Sequence, residues 1–412
     1  SIMDNAKIFS FTWNCESLKT CKFDSKCTEN IGEMCSYCKK EKCYIPTFAK
    51  HLVEYVRNKD VDIVFISTQE DPYPGGKMHS DYLIHLFKDQ DKDRHYQLLK
   101  NSRGRFIGVG KTTFSFGTMG LARGLRSSVY FRKSFLDKLK EEKKSIKVSK
   151  LTYNCGYVSR NKGGLCINVH IDGKNYSFIN CHLPFSSKTL KVYKTKKRYD
   201  IYRLPAVKDQ NKCFNNIVNT FKKKFKSDFV IIQGDLNYRI KYTEDEDAKN
   251  INNKLTSEED LRFLYEERDE LYLQMKDNNM EQFDEGITGE SHGPRFLPTC
   301  KLVKQKYSQY MECNGTKKKK TSKNRENRLD CQCMEGNFTQ CDLKSIQKNG
   351  KECYKLGKIR QRAPSWCDRI LYKSFKKNIA VACTEYNSYD FSQIMAMSDH
   401  RAVYGFFVIS KI

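Results

Sequence analysis

Six short apolar runs, spread between residues 7 and 409, each abut a side chain able to do chemistry. That recurrence constrains the fold more than any single motif. Lys7 to Trp13 alternates and delivers Asn14. Val61 to Ser67 leads to Thr68-Gln69-Glu70, and Tyr176 to Asn180 leads through Cys181 to His182. Phe229 to Ile232 leads to Asp235 and Asn237. Asp368 opens the run at Ile370-Leu371, and Asp399-His400 stands before Ala402 to Ile409. Runs of this length and composition read as strands, and the unbroken apolar ones as strands buried on both faces. Taken singly, each polar terminus could be an Asx-rich turn or a structurally satisfied histidine. Six together are hard to produce as separate accidents, and functional groups gather at one end of such sheets.

The stretch Val230-Ile231-Ile232-Gln233-Gly234-Asp235-Leu236-Asn237-Tyr238-Arg239 is the densest case. Gly234 lets the backbone turn. Extended-chain alternation puts Asp235 and Asn237 on one side, roughly 6–7 Å apart, with Arg239 beside them. Elsewhere Pro46 to Asn58 reads as an amphipathic helix, Ser127 to Arg132 as a strand, and Leu165 to Ile171 with Tyr176 to Asn180 as a hairpin over Gly173-Lys174. Residues 186–226 contain helical stretches, and 253–280 reads as a solvated outer helix pair. Gly104 to Thr112 has the wrong spacing for a phosphate-binding loop, because Arg105 stands where glycine is needed.

Two segments break the pattern and read as insertions into one domain spanning residues 1–412. Residues 15–43 carry six cysteines with Cys35-x-x-Cys38, either a zinc site or a thiol-rich surface insertion. Residues 301–357 carry five cysteines and Lys317–Lys320, either a solvated run or an anion contact. Lys+Arg exceed Asp+Glu by 75 to 49, a formal net charge of +26. That excess suits nucleic acid, an anionic membrane surface or a phosphorylated small molecule, as well as plain solubility. Neither a signal peptide nor an apolar run long enough to span a bilayer is seen. The expectation is a cytoplasmic, monomeric protein whose 18 cysteines are mostly thiols, with possible peripheral attachment at the cytosolic face of membranes.

The assembled groups are Asn14, Glu70, His182, Asp235, Asn237, Asp368, Asp399 and His400. They are hard oxygen donors with two imidazoles. That set suits Mg²⁺ held by one or two carboxylates and completed by waters and a substrate phosphate. Asp368 beside His400 is expected to raise the imidazole's pKa and keep it charged.

The same residues carry a resemblance. Thr12-Trp13-Asn14, Gln69-Glu70, Asn161-Lys162-Gly163-Gly164, His182-Leu183, Gly234 to Arg239, Arg362-Ala363-Pro364-Ser365-Trp366-Cys367-Asp368-Arg369-Ile370-Leu371 and Ser398-Asp399-His400 occur in the order seen in inositol polyphosphate 5-phosphatases. The chain resembles that family from about Lys7 to Ile409. The resemblance implies an α/β fold of the deoxyribonuclease I type: a two-sheet β-sandwich flanked by helices, four layers in all. It implies Mg²⁺-dependent removal of the 5-phosphate from a phosphoinositide lipid or a soluble inositol phosphate. By the same resemblance Glu70 is the metal ligand, with Asn14 and Asp399 near the metal. Asp235 activates water and Asn237 orients it. His182 and His400 hold the phosphate, with Asp368 behind His400. Lys162, Tyr238, Arg239, Lys301, Arg360 and Arg362 bind substrate. Met119 and Leu121 resemble a membrane-facing loop, or are ordinary core. Two departures stand out. Cys300 replaces the family's tyrosine in Pro298-Thr299-Cys300-Lys301, and Arg360 stands where lysine is usual.

Two other readings compete. An endonuclease of the same superfamily fits the net charge, but the nucleases lack the Trp-Cys-Asp-Arg string. A scaffold with a dead site conflicts with the intact acidic and histidine positions.

Overall fold

A computed structural model of the chain describes residues 3, 5–15, 45–72, 96–106, 123–155, 162–185, 199–241, 257–300, 364–389 and 398–411. The first sheet holds β1 (Ala6–Asn14), β2 (Ile63–Pro72), β3 (Tyr96–Phe106), β4 (Arg123–Arg132), β10 (Ile379–Tyr389) and β11 (Ala402–Lys411), in the order β10-β11-β1-β2-β4-β3. The second holds β5 (Ile146–Asn154), β6 (Gly163–Ile171), β7 (Lys174–His182), β8 (Phe229–Asp235) and β9 (Asp368–Ser374), in chain order. The helices are α1 (Ile45–Asn58), α2 (Lys133–Glu141), α3 (Tyr199–Phe225), α4 (Glu258–Arg268) and α5 (Glu270–Lys276). All eight strands read from the sequence are present, and the two-sheet α/β architecture holds. β3, β5 and β10 were not read. Of the segments expected as insertions, 15–43 and 301–357, all but Cys15 lie outside the described residues, as do Met119 and Leu121; Cys15 is buried, its N–H donating to the Gln69 carbonyl at the end of β1. No helix among the described residues is long and apolar enough to cross a membrane.

Register explains why distant residues meet. β1 and β2 run parallel, with Asn14 opposite Gln69. β7 and β8 run parallel, with His182 opposite Asp235, and antiparallel β9 places Asp368 opposite Asp235 on the other side. Four strands therefore end where two others, β9 and β11, begin.

The space between the sheets changes character along the strands. Ile8, Ile63, Phe65, Val129, Ile167, Phe178 and Ile231 belong to one apolar cluster. Nearer the strand ends, fully buried carboxamides and hydroxyls take over. Gln233 Nε2 donates to the Phe11 carbonyl and to Ser67 Oγ, both at 2.8 Å, and Gln233 Oε1 accepts from Ser10. Gln69 Nε2 donates to Asn180 Oδ1 at 2.8 Å, and Asn180 Nδ2 to the Thr68 and Arg126 carbonyls. Each bond contributes about 1 kcal/mol net, whereas leaving one such group unpaired costs about 1–3 kcal/mol. This layer therefore specifies one docking of the sheets.

The helix pair α4–α5 is not simply solvated. Asp269, at their junction, caps α5 through Tyr272 N and binds both Arg369 and the core. Arg369 is fully buried between Asp269 and Glu285, with bonds of 2.6–3.0 Å, and Tyr386 also donates to Glu285. Buried charge tolerates this only because every partner is present. The cysteines are mostly thiols among the described residues: Cys155–Cys213 is a disulfide, and six others are free.

Candidate active site

At the polar end of the sandwich, β7, β8 and β9 present His182, Asp235 and Asp368 side by side, and β1 presents Asn14 across from them. Asn14 Nδ2 donates to Asp235 Oδ2 at 2.9 Å, and His182 Nε2 lies 3.3 Å from the same oxygen. Lys162 Nζ contacts His182 Nε2. His400 Nδ1 bonds Asp368 Oδ2 at 2.9 Å, and Thr299 Oγ1 donates to that oxygen at 2.7 Å. The turn before β11 is fastened to β1: Trp13 Nε1 donates to the His400 carbonyl, and Ser398 Oγ to that of Asn14. Asp235, Asp368 and His400 have ligand atoms within 4.8 Å of one another.

Local backbone geometry aims these groups. Gly234 has φ +143°, and a Cβ there would collide with the Cys181 carbonyl. Asn237 has φ +58°, so the pleat stops after Asp235. The expectation that Asn237 continues the strand alternation is therefore corrected. Its N–H donates to Asp235 Oδ1 at 3.1 Å in an Asx turn, and its amide donates to the Leu183 carbonyl. Arg239 still joins the group, through Nη2 to Asn237 Oδ1 at 3.0 Å. Tyr238 does not. It is buried in the core, its hydroxyl donating to Asn211 Oδ1 at 2.7 Å near Met280, because the turn sends alternate side chains inward. Glu70 sits at a break in the β2–β4 register with φ +51°, part-exposed. Such bulges re-aim side chains at sheet rims. Lys301, Arg360 and Arg362 lie outside the described residues.

The electrostatics separate the two histidines. Burial and Lys162 push the His182 pKa down, toward the neutral imidazole. Burial also opposes charge on His400, but Asp368, Cys300 and Asp235 outweigh it and hold the imidazole charged, well above its ordinary range. Burial would raise Asp235, yet His400, His182 and Lys162 hold it well below the usual carboxylate range. Burial pushes Asp368 up while His400 pulls it down, so the pair keeps a proton that rests on His400. Two buried atoms, His182 Nδ1 and Asp368 Oδ1, have no hydrogen-bond partner among the described residues. Unpaired polar atoms at this depth suit a bound polar group.

Held charged beside Asp368, His400 keeps an Nε2–H donor in the same cluster as Asp235. Hard donors flank the cluster. Asn14 bonds Asp235, Asp399 Oδ1 is 3.7 Å from His400 Nε2, and the charge of Glu70 acts on His182. That oxygen set fits a hard divalent cation.

The sequence profile of Endonuclease/Exonuclease/phosphatase family 2 matches residues 11–325 and 343–406. The chain belongs to that family. Among curated members, a phosphatidylinositol 3,4,5-trisphosphate 5-phosphatase 2A of Danio rerio is 24% identical over 257 residues, 60% of this chain and 15% of that protein. The chain thus spans under a fifth of the length of the curated relatives it matches. The inositol polyphosphate 5-phosphatase domain of SpSynaptojanin, solved with inositol (1,4)-bisphosphate and calcium, superimposes with TM-score 0.55 and 17% identity, covering 99% of this chain and 85% of that one. A Cimex nitrophorin in its ferrous NO complex gives 0.54 and 16%, covering 98% and 99%. These likenesses show the fold alone, and function rests on the site.

Two residues at the site, Gln210 and Thr299, escaped sequence reasoning, and Cys300 stood out only as a departure from the family's tyrosine. Gln210, from α3, donates to the Pro184 and Asn237 carbonyls, both at 2.8 Å, joining the turns after β7 and β8. Nothing in a lysine-rich helical stretch marks it. Thr299 and Cys300 reach Asp368 and His400 from a segment with no strand pattern. The Pro-Thr-Cys-Lys string was their only signal.

Proposed function

We propose that this chain, acting as one catalytic domain, is a Mg²⁺-dependent phosphomonoesterase. Its substrate is a 5-phosphorylated inositide, either a phosphoinositide lipid or a soluble inositol polyphosphate. The observation that carries the proposal is one buried cluster in which Asn14 and His182 reach the same oxygen of Asp235 while His400 bonds Asp368, an arrangement that favours an ionised Asp235 and a charged His400. The resemblance and the curated relatives supply the substrate class.

Asn14, Glu70 and Asp399 would hold the cation. When bound, it would neutralise phosphate charge and stabilise the leaving oxygen. The chain's own residues do the rest. Asp235, kept ionised, orients the attacking water and accepts its proton, while Asn14 and the Asn237 turn fix the carboxylate. His400, charged against Asp368, and Lys162 beside His182 bind the phosphoryl oxygens. Arg239, with Lys301, Arg360 and Arg362, provides further cations for neighbouring phosphates. The excess of basic residues, including the run Lys317–Lys320, draws the cytoplasmic protein to anionic membranes.

Phosphate release across a panel of inositol phosphates and short-chain phosphoinositides tests the reading. Release confined to 5-phosphorylated members and dependent on Mg²⁺ is expected; equal release from members lacking that phosphate overturns it. Binding to anionic liposomes should weaken with salt and on neutralising 317–320, and insensitivity to both removes the membrane role.

A further inference from the structure

Two free thiols sit at the catalytic centre, and the proposed reaction uses neither. Cys300 is buried with its Sγ 3.3 Å from Arg239 Nη1 and 3.5 Å from His400 Nε2. Cys367 is buried immediately before Asp368, its Sγ 3.5 Å from the Tyr238 carbonyl and hydrogen-bonded to Cys300. The backbone holds the two segments together: Cys300 N donates to the Ser365 carbonyl at 3.1 Å, and Ser365 N to that of Cys300 at 2.7 Å.

The two sulfurs are unlike. Cys300 faces a guanidinium and an imidazole, groups that favour a thiolate and would stabilise an oxyanion leaving beside it. Cys367 faces a carbonyl oxygen and the other sulfur, surroundings that keep a thiol protonated. The shifts agree with that geometry. Burial would raise Cys300, but Cys367, His400 and Arg239 bring it well below the usual thiol range. Burial and the bond to Cys300 push Cys367 up. Burial dominates at Cys166 and Cys181, which are pushed up and serve as internal controls. A small oxidant approaches from the His400 side, because His400, which Cys300 contacts, is 7% exposed while Cys300 itself is 1%.

We propose that Cys300 and Cys367 form an oxidation site, in which a hydroperoxide oxidises Cys300 and Cys367 resolves it as a disulfide, releasing Arg239 and His400 from their shared contact. In the first step the Cys300 sulfur attacks the peroxide's terminal oxygen. An S–O bond forms, the O–O bond breaks, and the leaving alkoxide or hydroxide takes a proton from solvent. Cys300 is now a sulfenic acid. Cys367 sulfur then attacks Cys300 sulfur, the S–S bond forms, the S–O bond breaks, and the departing hydroxide leaves as water with the Cys367 proton. The two sulfurs lose two electrons and the peroxide gains them. A disulfide brings the sulfurs to about 2.0 Å, drawing Cys300 off both cations. The activity consequence rests on the proposed function; the thiol chemistry does not.

The test uses the full chain, reduced, freed of reductant, treated with stoichiometric hydrogen peroxide, alkylated, digested and mapped by mass spectrometry. A 300–367 crosslink should appear about tenfold or more faster than oxidation of Cys166 or Cys181. Phosphate release should fall in step and return with a phosphine reductant. In Cys367→Ser, Cys300 should instead be trapped by dimedone. Oxidation of Cys300 no faster than the controls, or its pairing with a different cysteine in the wild type, overturns the proposal. A crosslink that leaves phosphate release unchanged overturns its regulatory half. A chain inactive on every inositide still yields the crosslink map, so the two readings fail separately.

Discussion

Asp368→Asn isolates the electrostatics of the site with little change of shape. The carboxylate bonds His400 Nδ1 at 2.9 Å and accepts from Thr299 at 2.7 Å. An amide keeps an acceptor for Thr299 but removes the charge. With charge centres about 4 Å apart and an effective dielectric of about 20, the lost attraction is about 4 kcal/mol, on the order of a thousandfold in the protonation equilibrium of His400. The direction follows from the structure. In the wild type, His400 is held above its ordinary range, so it stays charged through neutral pH and loses its proton only on the alkaline side. Without Asp368, burial prevails and the proton is lost at lower pH. Initial rates of phosphate release from pH 5.5 to 8.5 should show a kcat/KM about 10²–10³-fold down at pH 7.5. They should recover by about tenfold per unit of acidification while the imidazole titrates. Acid does not cancel the recovery by protonating Asp235, which is held well below the usual carboxylate range. A variant as active as wild type at pH 7.5, or one whose loss is the same at every pH, refutes the reasoning.

Asp235→Ala should abolish phosphate release by about 10³-fold or more while leaving the melting temperature near wild type; retained turnover removes the role assigned to it. Dialysis against a chelator should stop turnover, and Mg²⁺ should restore it, with Glu70→Gln raising the Mg²⁺ concentration needed at least tenfold in a titration. Arg369→Met leaves Asp269 and Glu285 buried without their cation. Denaturant unfolding should register a loss of about 3–5 kcal/mol, and a change under 1 kcal/mol would mean the carboxylates simply take up protons. Gln210→Leu unlinks the turns after β7 and β8, and should lower kcat about tenfold with less effect on KM; an unchanged kcat would show that the turns hold themselves.

The strands and the site were legible for a common reason. Core strands such as Phe229 to Ile232 are buried on both faces, so their sequences are apolar throughout, and the residues that interrupt them stand out. His182, Asp235 and Asp368 could be read as partners because they end or begin such runs. β5 alternates part-buried and exposed positions at the sheet edge, with only Val148 buried and lysines between, and was missed. Asn237 was placed on the correct turn but by the wrong geometry, since a pleat argument fails where φ turns positive. Tyr238 belongs to a motif, yet sequence adjacency says nothing about which way a turn throws a side chain. Gln210 and Thr299 act through a few hydrogen bonds from helix and loop, where no periodicity marks a position.

β11 is inserted between β10 and β1, so the last of the described strands in chain order lies inside its sheet rather than at the rim, with Asp399 and His400 just before it. A nascent polypeptide can hold Asn14, His182, Asp235 and Asp368 and still lack Asp399 and the charged imidazole. Hydrolytic competence should therefore switch on abruptly when that segment, which brings Asp399 as well as His400, zips in.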